Sequence, residues 1–147
     1  MPTSHEATAR WEGDLATGKG NVTTKSGVLK SAGSSWKERT EGTGSEGLTS
    51  PEELLAAAHA SCFSMAFAAR LAKAGATVRS LEITARVTFG SAPSGGNGVL
   101  ESALRVKADA PGIDAAKIKE LAEDAKANCP ISKAIANNVA VTLEVLG

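Results

Sequence analysis

The sequence carries no excess of charge: Lys plus Arg and Asp plus Glu number 16 each. That leaves no electrostatic basis for binding nucleic acid or an anionic lipid surface. Aromatic residues are scarce, at 3% of 147 residues, and tyrosine is absent. The N-terminus shows no basic stretch followed by an apolar one, so no secretory signal is expected. No internal repeat or linker-like stretch divides the chain, and one domain over residues 1–147 is expected. Only two cysteines are present, Cys62 and Cys129, too few and too far apart to staple a small secreted domain. A reducing, cytoplasmic compartment follows as the default. There, two cysteines are either inert core residues or a working redox pair.

What the sequence does have is one long apolar stretch, Ser50 to Gly75. It opens with a helix start: Ser50 to cap, Pro51 for the first turn, and Glu53 to complete an S-x-x-E box. Glu52 and Glu53 set negative charge at the positive end of the helix dipole. Arg70 and Lys73 close it, and Gly75 stops it. Between Leu54 and Ala69 the polar residues are His59, Ser61 and Ser64. A helix apolar nearly all round is expected to be buried on most sides. The uncharged run is short for a bilayer and contains a histidine, so no membrane span is expected. A chain of this size cannot wrap such a helix fully, which points to a second subunit covering part of it.

Around that helix the pattern is mostly strand. Thr8–Trp11 begins a strand, and Asn21–Lys25 and Val28–Ser31 flank a Ser26-Gly27 hairpin turn. Ser34–Thr40, carrying Arg39, reads as a further strand, followed by a Gly-rich loop. Leu81, Ile83, Ala85, Val87 and Phe89 alternate with polar residues, as do Leu100, Ser102, Leu104, Val106 and Ala108. Period two predicts a pair of antiparallel strands. Asp114 caps a helix, Pro130 starts a short one reaching Ala136, and Val139–Val145 is a last strand. The order predicts an α+β fold with antiparallel sheet packed on the long helix.

Cys129 stands at a helix start, where backbone N–H groups favour a thiolate; the alternative is a cysteine filling a helix junction. Cys62, in mid-helix between Ala60 and Phe63, reads as a small core residue with a raised pKa unless a cation stands beside it. His59 lies one turn earlier on the same face. His5 is the only other histidine, so no metal site is expected. Glu52 is explained as a first-turn acid, and Arg39 as a solvated strand residue.

The segments WEGDLATGKG, TTKSGVL, ERTEG, TSPEELLAAAHASCFSMAFA, PGID and NCPISKAIA resemble, in order and spacing, the OsmC/Ohr family of osmotically inducible and organic hydroperoxide resistance proteins, in its OsmC branch. The resemblance spans nearly the whole chain. It implies an oxidative-stress thiol peroxidase acting on organic hydroperoxides, hydrogen peroxide less well. It further implies an OsmC-like fold, an intertwined homodimer with active sites at the subunit interface, no cofactor, and an external dithiol reductant of lipoyl type. Position by position, Cys62 matches the peroxidatic cysteine and Cys129 the resolving one, while Arg39 and Glu52 match the pair that activates the thiolate. Glu52 and Cys62 are ten residues apart, about 15 Å along one helix. If they serve one site, two antiparallel copies of the helix share it. A redox sensor or hydrophobic-ligand binder is the competing expectation.

Overall fold

The computed structural model describes residues 1–146. The chain divides into two compact units, residues 1–54 and those from Leu55 onward.

The N-terminal unit is built on a three-stranded antiparallel sheet. Its strands are β1 (Ala7–Glu12), β2 (Lys19–Thr24) and β3 (Ala32–Ser34), in that order. The turn between β1 and β2 is set by Asp14, whose Oδ1 accepts the amides of Ala16 and Thr17 at 2.9 and 2.8 Å. Gly20 faces Trp11 across the ladder, and a Cβ there would come within 2.7 Å of the indole. The expected second hairpin arm, Val28–Ser31, is not a strand. Thr24 Oγ1 accepts the Leu29 amide and Thr23 Oγ1 the Ser31 amide, each at 3.1 Å. Beside them the main chain keeps one bond, from the Thr24 amide to the Leu29 carbonyl at 3.1 Å, and the regular ladder resumes at Ala32.

The expected strand over Ser34–Thr40 is overturned as well. Trp36–Glu41 is a helix, α1. Ser35, extended at φ −149°, caps it by accepting the Glu38 amide at 3.1 Å. Gly42, at φ +59°, ends it in the left-handed region and donates its N–H to the Glu38 carbonyl at 2.8 Å. Two turns leave too little sequence for a helical period to show, but both caps are chemically explicit.

The long helix α2 runs from Pro51 to Lys73, as its punctuation predicts. Ser50 Oγ accepts the Glu53 amide at 3.1 Å. The reciprocal half of the box is rewired: Glu53 Oε2 accepts from the Thr49 hydroxyl at 2.6 Å.

In the C-terminal unit β4 (Ser80–Ser91) pairs antiparallel with β5 (Asn97–Asp109). Helices α3 (Ala115–Asn128) and α4 (Pro130–Ile135) follow, and β6 (Ala140–Val145) closes the sheet. The fold is α+β, with one correction to the antiparallel sheet expected: β6 runs parallel to β5. The α3–α4 crossover carries the chain back to the end where β5 began, which is what a parallel neighbour requires. Asp114 caps α3 by accepting the Lys117 amide at 2.7 Å. The core gathers Phe63, Phe67 and Leu71 of α2, Leu104 and Val106 of β5, Ala122 and Ala125 of α3, and Cys129.

Burial along α2 is one-sided. His59, Phe63, Phe67 and Leu71, four residues apart, are fully buried, whereas Ala58, Ser61, Met65, Ala69 and Ala72 are exposed, Met65 by 66%. The helix is long and apolar enough to cross a bilayer by length and composition alone. Its buried stripe, with a hydrogen-bonded histidine in it, is that of a core helix.

Candidate active site

Arg39 and Glu52 meet within the N-terminal unit. Arg39 Nη2 donates to Glu52 Oε1 at 2.9 Å, and Nε lies 3.2 and 3.3 Å from the two carboxylate oxygens. The Arg39 side chain is 32% exposed and that of Glu52 only 7%. Such a forked, charge-assisted pair fixes the plane of the guanidinium as well as its place. The Trp36 ring, one turn back on α1, lies 6.0 Å from Arg39 Cζ. The loop beyond α1 is tied down by buried Glu38, whose carboxylate accepts from the Thr43 hydroxyl and, at 2.8 Å, from the Gly44 amide. Those contacts, the Thr43 hydroxyl foremost, hold Glu38 below the usual carboxylate range.

Cys62 and Cys129 meet within the C-terminal unit. Both are free thiols; Cys129 is fully buried and Cys62 half-buried. Burial is the main influence on the Cys62 thiol and pushes its pKa up. The Ile131 N–H, directed at the sulfur from the first turn of α4, pulls it down in part. The hydrogen bond to Cys129 favours the protonated form and adds to the rise. The first turn of α4 thus lends a backbone N–H to Cys62. Cys129 is the single residue between α3 and α4, and its side chain makes no capping bond.

His59, one turn before Cys62 on α2, is fully buried. Its Nδ1 is 2.7 Å from Ser102 Oγ on β5, and its Nε2 is 2.8 Å from Ser132 Oγ on α4. Burial lowers the histidine pKa. Neither serine is marked by spacing in the sequence: Ser102 is simply an inward position of β5, and Ser132 the third residue of a short helix. Trp36 and Glu38 were equally hidden, although S-x-x-E from Ser35 to Glu38 is a signal that a search for caps would find.

A family model described as OsmC-like protein matches residues 42–144, which takes in Glu52, Cys62 and Cys129. The chain belongs to the OsmC-like family. It is 41% identical over 135 residues to the peroxiredoxin OsmC of Escherichia coli K12, covering 92% of each chain. Against the organic hydroperoxide resistance protein OhrA of Bacillus subtilis 168 the identity is 35% over 100 residues, 68% of this chain and 69% of the relative. Among solved structures, the organic hydroperoxide resistance protein OhrB of Bacillus subtilis superposes with a TM-score of 0.78 at 30% identity, covering 98% of both chains. These matches agree with the resemblance and with the α+β architecture of this OsmC-like chain.

Proposed function

We propose that this protein is a thiol peroxidase that reduces organic hydroperoxides to alcohols. The observation that carries the proposal is the meeting of two free thiols in an apolar setting, in a family whose curated relatives are named peroxiredoxin and organic hydroperoxide resistance protein. The Cys62 thiolate attacks the terminal peroxide oxygen, forming an S–O bond as the O–O bond breaks, and the departing alkoxide takes up a proton from solvent to leave as the alcohol. Cys62 becomes a sulfenic acid. The Cys129 thiol then condenses with it, forming the disulfide and releasing water. An external dithiol, of which a lipoyl group is the favoured type, restores both thiols by exchange.

A buried thiol whose pKa is raised needs a cation to react near neutrality. Arg39, held by Glu52, is the group to supply it, and it also offsets charge growing on the departing alkoxide. Glu52 and Cys62 are separated by ten residues of one continuous helix, about 15 Å of rise. The Arg39–Glu52 pair therefore serves the Cys62 of a second copy, in a homodimer. The exposed face of α2, with small residues Ala58, Ser61, Ala69 and Ala72 around Met65, supports close helix–helix approach there. Phe63 and Phe67 beside the thiols suit a carbon-rich peroxide over hydrogen peroxide.

Consumption of cumene hydroperoxide with dihydrolipoamide, compared with that of hydrogen peroxide, tests the assignment. Cys62→Ser is expected to abolish single-turnover consumption. Cys129→Ser is expected to keep one turnover and lose cycling. The reverse pattern overturns the roles given to the two cysteines.

A further inference from the structure

His59 has no part in the chemistry above, yet it is a fully enclosed polar group one turn from Cys62. It precedes Cys62 by three residues on α2, and Ser132 follows Cys129 by three residues at the start of α4. The two helices are therefore joined by two rungs about one turn apart. One is the Cys62–Cys129 thiol pair, and the other is the 2.8 Å bond from His59 Nε2 to Ser132 Oγ. Ser102, 2.7 Å from Nδ1, fixes the ring from the β5 side. Cys129 is a one-residue joint between α3 and α4, so tilting α4 displaces its sulfur. The Ile131 amide that faces the Cys62 sulfur rides on the same first turn.

We propose that His59 is a positioning residue for disulfide formation. Through Ser132 it holds the first turn of α4 at the spacing from which the Cys129 sulfur reaches the Cys62 sulfenic acid. The step itself forms the S–S bond, breaks the Cys62 S–O bond and releases the hydroxyl with the Cys129 proton as water. The proposal builds on the thiol-peroxidase assignment for its kinetic test, and it has an equilibrium test that needs no peroxide.

After a peroxide pulse, the lifetime of the Cys62 sulfenic acid reports this step alone, however fast the acid formed. Ser132→Ala removes the rung with the least disturbance. His59→Asn retains reach to Ser102 only, and His59→Gln retains reach to Ser132. The lifetime is expected to lengthen about tenfold in Ser132→Ala and His59→Asn and to stay near wild type in His59→Gln. Excess peroxide is then expected to convert more Cys62 to the irreversible sulfinic acid in the first two variants. In glutathione redox buffers the same two variants are expected to form the Cys62–Cys129 disulfide less readily, by several-fold in the dithiol–disulfide equilibrium constant. Unchanged lifetimes and an unchanged equilibrium in Ser132→Ala overturn the proposal. So does a loss in all three variants that follows thermal stability instead of the Ser132 bond. Wild-type protein inert to hydroperoxide removes the peroxidase assignment, while the glutathione equilibrium still decides the role of His59.

Discussion

Two residues decide how the site responds to change. Arg39 grips both oxygens of Glu52, which a lysine, with one compact ammonium, does not reproduce. Arg39→Lys is expected to lower the second-order rate of Cys62 with cumene hydroperoxide by about a hundredfold, measured by stopped flow. The same variant is expected to raise the Cys62 pKa, followed by thiolate absorbance. His59 governs a different dependence. Its pKa in the folded protein is lowered by burial, whereas in the unfolded chain it titrates at about 6.5. Above that pH its contribution to stability is complete. As pH falls below about 6.5 the unfolded chain takes up the proton first, and stability declines until the folded His59 is protonated too. A melting series from pH 7.5 to 5 is expected to fall more steeply for wild type than for His59→Gln, the carboxylates being common to both.

At the scale of elements, legibility followed the length and punctuation of each segment. The α2 boundaries, the β4–β5 pair, and the caps of α2 and α3 were readable because period and capping residues agree over many positions. Helix α1 was not, since its six residues show no period and Trp36, Arg39 and Thr40 fit a strand equally well. The parallel pairing of β6 was hidden for another reason: alternation tells which face is inward and carries no direction. Of the site, the two cysteines and their partners came from a match of motifs, since spacing alone gave Glu52 and Arg39 ordinary roles. The His59–Ser102–Ser132 set brings together residues 43 and 73 positions from the histidine, a distance at which sequence pattern says nothing. Because α1 carries Arg39, its cap bears on the proposed reaction. Ser35→Ala is expected to cost about 1 kcal/mol in urea unfolding and to slow peroxide reduction, with thiol access to alkylating reagents unchanged.

At the scale of the molecule, the bare face of α2 is where the proposed dimer is expected to form. Wild-type protein is expected to sediment as a dimer, and Met65→Glu to shift it toward monomer and lose peroxidase activity together with the dimer. A fully active monomer contradicts the shared site. The joint at Cys129 bears on the rival role, that of a sensor. Its N–H donates to Ala125 at 2.8 Å, and its carbonyl accepts from Lys133 at 3.0 Å. Both main-chain groups are committed to helices on either side, so the sulfur is left to turn about its own side-chain bond. In the proposed reaction, oxidation is then expected to be a local swivel that leaves the C-terminal backbone where it was. On that expectation a partner protein waiting for a changed outline has nothing to read, and the oxidised form is legible only to another thiol.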